Sequence, residues 1–151
     1  MITENVLKLM PFDAPGFTND WKQCSLKKKL NEAEPIAEFQ GLKGLRKYCC
    51  NFDPESGDAK KGGQKQPFFL LSEEQAGDPG SSGKENGYFR NNADRRAILI
   101  DDTEWAVWWL RSPGFGDGLA ANVFPDGDVI PFGSDVWSGG GGVRPAFWLN
   151  L

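Results

Sequence analysis

Between Val123 and Val136, valine and glycine recur on a beat: Val123, three residues, Gly127, one residue, Val129, three residues, Gly133, two residues, Val136. The residues between the beats mix large aromatics, acids and prolines with no periodicity of their own, a mixture that suits a displayed surface. Asp126-Gly127 is the dipeptide favoured by a type I′ hairpin turn, whose two central residues need positive φ. This reading places short strands near Ala120–Phe124 and Asp128–Phe132, with Ser138–Gly142 as a loop that no core requires. Two apolar runs flank the segment, Trp105–Leu110 and Val143–Leu151. Short apolar runs rich in aromatic and β-branched residues and bounded by Gly and Pro fit buried strands better than helices.

A chain of 151 residues has the length of one domain with a sizeable core. Its formal charge is −4, and eleven of the 17 Lys and Arg lie before Gln66. That balance argues against a nucleic-acid partner, which calls for clustered phosphate contacts. Lys27-Lys28-Lys29 reads as the solvated face of a short helix. The absence of His excludes the usual triads and imidazole bases and leaves few ligands for zinc, so no metal or cofactor is expected. Three cysteines, Cys24, Cys49 and Cys50, are an odd number with two adjacent, so they read as reduced thiols. No secretory signal follows Met1 and no apolar run is long enough to span a bilayer, so no membrane insertion is expected.

In chain order, Val6–Met10 reads as a first strand and Pro11–Gly16 as the loop that ends it. Ser25 is a candidate N-cap for Leu26–Leu30. A second helix is expected over Ile36–Tyr48, with Ile36, Phe39, Leu42 and Leu45 on one face. Asn51–Gln66 and Gly77–Gly87 read as loops. Pro67–Leu71 reads as a buried strand, followed by a capping box from Ser72 to Gln75. The stretch Gly87–Ala97 reads as a helical turn whose arginines face out or pair with Asp94, Asp101 or Asp102.

The motif Trp108-Trp-Leu-Arg-Ser-Pro-Gly114, followed by Gly142-Val-Arg-Pro-Ala146 and Trp148-Leu-Asn-Leu151, resembles a bacterial and phage domain family of C-type-lectin-like architecture. Asp20-Trp21, Phe69–Glu74 and Arg95-Arg96 fit the same pattern. The resemblance implies an α+β domain over residues 1–151, with short twisted antiparallel sheets and a few short helices. Some members are similar to the variable proteins of diversity-generating retroelements, in which adenine-directed mutagenesis rewrites a segment between a fixed arginine motif and a fixed Gly-Val-Arg-Pro motif. Rewriting Asn codons of the AAC type at their first two bases cannot produce Lys, Glu, Gln, Met or Trp. From Ser112 to Leu151 there is no Lys, Glu, Gln or Met, while Trp137 departs from the rule.

The resemblance therefore implies a non-catalytic ligand-binding domain, probing a cell-surface protein or glycoconjugate through residues 115–141 and acting as a monomer. The expected apolar anchors are Phe115, Leu119, Phe124, Ile130, Phe132 and Trp137. Asp117, Asp128 and Asp135 rim them, with Ser134 and Ser138 as polar contacts. Val123, Val129 and Val136 are expected to be buried. Asp117, Asp126, Asp128 and Asp135 are read as turn residues rather than calcium ligands. Arg111 and Arg144 are expected to be partly buried, paired to carboxylates or carbonyls, and to hold the ends of the displayed segment. One alternative is a relative of the formylglycine-generating enzymes, although that chemistry needs reactive cysteines in the C-terminal half and all three here precede Asn51. The other is a structural domain of a larger surface or phage tail protein.

Overall fold

The computed structural model describes residues 1–50, 54, 66–77 and 88–150. The two expected loops therefore lie outside the described residues, apart from Pro54, Gln66 and Gly77. Pro54 and Gln66 are buried rather than exposed, and Gln66 accepts the Trp21 indole N–H at 3.2 Å.

The fold is mixed α+β, with one five-stranded sheet and a few short helices. Its strands are β1 (Lys8–Leu9), β2 (Trp108–Pro113), β3 (Leu119–Val123), β4 (Val129–Asp135) and β5 (Gly142–Val143), in the spatial order β1-β5-β2-β3-β4. β2, β3 and β4 form an antiparallel meander, while β5 returns parallel to β2 and pairs antiparallel with β1. β4 is thus an edge.

Trp108, Trp109 and Leu110 are fully buried because both faces of β2 are covered. Trp109 packs edge-on to Phe12 at 5.8 Å and donates its indole N–H to the Met10 carbonyl. Trp108 donates to the Arg95 carbonyl and lies under the Arg144 guanidinium at 4.9 Å. The strand begins three residues later than the apolar run suggests. Trp105 pairs with Ile98 in an isolated bridge and is exposed, its ring covered by Arg96 at 4.0 Å. At the other end, Val143–Leu151 is not one strand. Pro145 has no N–H to continue a ladder, and pairing beyond Val143 is reduced to isolated bridges at Ala146 and Leu149.

Helix α1 (Ser25–Leu30) buries Leu26 and Leu30, but its cap is Cys24 rather than Ser25. The Ser25 hydroxyl is taken by the Ala14 N–H, so the Cys24 sulfur receives the Lys27 N–H at 3.4 Å. Helical structure runs over 37–48, with α2 (Gln40–Leu45) between two 3-10 turns. Phe39 and Leu42 are buried, whereas Leu45 is exposed. The expected capping box is present in α3 (Glu73–Ala76), which ends on Gly77 in the left-handed region. α4 (Asn92–Arg95) is capped by Asn91.

Three arginines are buried, and each donates to backbone carbonyls. Arg111 reaches Leu70 O at 2.6 Å, and Arg144 reaches Thr3 O and Arg95 O, both at 3.0 Å. Burial lowers the Arg144 pKa to about 10, which still leaves it charged at neutral pH. Arg95 corrects the expectation of outward arginines. Its Nε donates to Gly127 O at 2.7 Å and its Nη1 to Gly77 O at 3.2 Å, tying α4, the end of α3 and the β3–β4 hairpin together. Its five N–H donors let one guanidinium serve the Gly127, Ala76 and Gly77 carbonyls together, and this is what makes its burial favourable.

Candidate functional site

The β3–β4 hairpin closes on Pro125-Asp126-Gly127, with Phe124 and Asp128 joined by a 2.9 Å backbone hydrogen bond. Gly127 has φ +89, whereas Asp126 is not in the positive-φ region. The turn is therefore a three-residue loop ending in a left-handed glycine, not type I′. Pro125 supplies the fixed negative φ that its first position wants. Asp126 Oδ1 accepts the Asp128 N–H at 3.0 Å and Asp135 Oδ1 accepts the Trp137 N–H at 2.8 Å, which is the work of turn residues.

The second glycine of the beat shapes β4. Ala120 pairs with Ser134 and Asn122 with Ile130, so three residues of β4 face one of β3. Gly133, at φ +86, absorbs the bulge, and Phe132 is pushed out to 54% exposure. Pro131 within the same bulge removes a backbone donor. The edge is thereby unsuited to adding a further strand, and what it offers a ligand is side chains.

The β2–β3 loop completes the surface. The Phe115 N–H donates to Phe132 O at 3.1 Å, which sets the two residues side by side, and Phe115 is 80% exposed. At the other end of the loop Gly118 O accepts the Val136 N–H at 2.9 Å. A Cβ on Gly118 would lie 2.2 Å from the Phe17 ring, so that ring rests on bare backbone. Phe17, 57% exposed, meets Trp137, 56% exposed, edge-on with centroids 6.4 Å apart. The Trp137 indole N–H donates to Gly16 O. Asn19 pins the loop by donating to Gly116 O and Leu119 O. The outcome is two exposed aromatic pairs, Phe17 with Trp137 and Phe115 beside Phe132, carried by the β2–β3 loop and the segments packed against it.

The remaining expected site residues divide. Asp117, Phe124, Asp128, Asp135 and Ser138 are exposed. Phe124 and Asp128 sit at the hairpin, where Asp128 accepts from Asn92, at the far end of β4 from Trp137. Leu119 and Ile130 are half-buried, so Ile130 is less exposed than expected. Ser134 is also half-buried, its hydroxyl accepting from the fully buried Asn122 amide at 2.6 Å, which commits it to the scaffold. Val123 and Val136 are buried and Val129 half-buried against the core. Gly141 and Gly142 correct the reading of 138–142 as a loop with no core requirement. A Cβ on Gly141 would lie 2.0 Å from the Trp109 ring, and one on Gly142 would lie 2.4 Å from Val6. Phe17 was missed altogether, because nothing local distinguishes a lone aromatic in an N-terminal loop.

A family model described as a domain of unknown function, DUF6273, matches residues 1–151. The chain belongs to the DUF6273 family. No curated protein and no solved structure matches it.

Elsewhere in the DUF6273 domain, a cavity of about 250 Å³ is lined by Phe69, Leu71, Gln75, Tyr88 and Trp148 among others. The Gln75 amide there is occupied by Arg111, Ser72 and Pro54, so it has little left to orient a ligand. The Cys24 thiol is fully buried and pushed up to about 12 by desolvation, and burial likewise raises Cys49. Both shifts disfavour thiolate at neutral pH. Among the described residues no group of three His, Cys, Asp or Glu is placed to hold a metal ion, and no helix is long and apolar enough to cross a membrane. Adding EDTA is expected to leave the melting temperature unchanged. A fall of several degrees would reveal a bound ion, since a ligand of the native state stabilises by mass action.

Proposed function

We propose that this DUF6273 domain is a non-catalytic recognition domain that binds a protein or glycoconjugate through the surface of Phe17, Phe115, Phe132 and Trp137. The observation that carries the reading is that these four rings stand exposed while the loop and strand edge that carry them are pinned by Asn19 and shaped by Gly118 and Gly133. Exposed aromatics grouped about one loop and accompanied by polar groups have the composition of an interface centre. Short antiparallel strands with few short helices fit the C-type-lectin-like architecture that the motifs suggest. The raised thiol pKa values of Cys24 and Cys49 weigh against the formylglycine-generating alternative.

We further infer that the segment is retroelement-diversified. Trp137, the departure from the Asn-codon rule, is bonded to Gly16 and packed on Phe17, which is how a fixed residue at the margin of a rewritten segment would be held. The test is the gene's nucleotide sequence with its flanks. A near-copy of the 3′ repeat differing only at adenines supports diversification, and a near-copy with differences scattered over all four bases overturns it.

For recognition itself, Phe132→Ala is expected to weaken ligand binding by about 2 kcal/mol or more. Its cost to stability should be under about 1 kcal/mol, as befits an exposed side chain. Binding is read by calorimetry with a selected ligand and stability by urea unfolding. Unchanged affinity in both Phe132→Ala and Phe115→Ala would remove the surface from consideration.

A further inference from the structure

The geometry points to a protein partner that presents an arginine or lysine side chain to the corner between Phe17 and Trp137, beside Asp135 and Asp117. The inference rests on the recognition reading above and adds the partner's chemistry.

Elsewhere five rings of this chain lie under its own cations. Lys47 lies over Tyr48 at 4.7 Å, Arg96 over Trp105 at 4.0 Å, Arg144 over Phe89 and Trp108 at 4.9 Å, and Arg111 over Phe69 at 5.7 Å. Among the described residues, no cation covers Phe17, Trp137, Phe115 or Phe132. These four rings are also among the most exposed of the described residues. A desolvated cation over a Trp face gains more than one in water, so an uncovered ring pair is where an incoming cation gains most.

Charge points the same way. Residues 112–143 contain four Asp and no Lys or Arg. Asp128, at the hairpin, is engaged by Asn92, with Arg96 close by through its bond to Pro125 O. Asp117 and Asp135 are at the aromatic end and enter no ion pair among the described residues. One oxygen of Asp135 is held by the Trp137 backbone N–H, which fixes the carboxylate at the base of the residue that carries the indole. A carboxylate beside an open ring is the arrangement that selects a guanidinium or ammonium group.

The shape favours a side chain over a sugar. Phe17 and Trp137 meet at an interplanar angle of 78°, which makes a corner rather than a flat platform. Phe115 and Phe132 extend the apolar area next to it, as a folded protein's contact surface would require.

The test is a titration of the isotopically labelled chain, followed through the Trp137 indole and the Gly118 amide. The probes are hexaarginine amide, hexaglutamate amide and maltohexaose. Hexaarginine is expected to shift both resonances, and Asp117→Asn with Asp135→Asn is expected to weaken its binding by about tenfold. The double variant Asp101→Asn with Asp102→Asn carries the same charge change at a distant turn and is expected to leave the affinity unchanged. Equal weakening by both variants would show attraction to net negative charge alone and would overturn the inference. A Trp137 shift with maltohexaose and none with hexaarginine would overturn it in favour of a glycan, while leaving the recognition surface standing. Shifts from every probe confined to residues away from Phe17, Phe132 and Trp137 would overturn both.

Discussion

Trp109→Ala is expected to be the most damaging single substitution, costing about 3–5 kcal/mol, the range for emptying a large aromatic site in a packed core. The ring is fully buried, meets Phe12 edge-on and donates to Met10 O. Its removal leaves a cavity and orphans a buried carbonyl that ties the N-terminal segment to the sheet. The matched comparison is Trp137→Ala. That indole is half exposed and holds one bond to Gly16 and one edge contact with Phe17, so about 1 kcal/mol is expected there. Urea unfolding of the two variants decides the matter. Equal destabilisation would mean that Trp137 belongs to the scaffold, and the proposed surface would lose its centre.

Gly133→Ala is expected to be next, at about 2–5 kcal/mol. Two costs combine. A left-handed backbone at φ +86 disfavours any Cβ by about 1–2 kcal/mol. The new atom would also lie 2.6 Å from Ala120 O, so β3 and β4 must separate, an overpacking cost of about 1–3 kcal/mol. Because this glycine sets the bulge that turns Phe132 outward, the variant should also bind ligand more weakly than its residual folded fraction explains. Gly139→Ala is the control, since nothing lies within 4 Å of its added Cβ. A midpoint shift in Gly139→Ala as large as in Gly133→Ala would show that the glycine content, rather than the bulge, matters here.

The displayed segment was more legible than the parts that position it. The beat of valine and glycine marks Gly127 and Gly133, because a left-handed backbone leaves a local trace in residue choice. It did not reveal that the first closes a three-residue turn and the second a bulge. Those outcomes depend on strand register, which is chosen by how Val123 and Asn122 pack. Arg95 was misread for a related reason. On a four-residue helix an arginine next to aspartates looks like a surface charge, and only the convergence of Gly127 O, Ala76 O and Gly77 O makes burial favourable.

By itself the sequence determined an α+β chain, the capping box at Ser72, the burial of Trp108–Leu110 and the exposure of Phe115, Phe132 and Trp137. Each follows from conformational preferences and polar patterning within a few residues. Only the tertiary structure decided that Phe17 joins Trp137 across 120 positions, that Gly141 must be bare to admit the Trp109 ring, and that a run ending in Pro145 could not continue as a strand. These features are set by which surfaces meet once the chain has collapsed, and packing partners distant in sequence leave no periodicity to read.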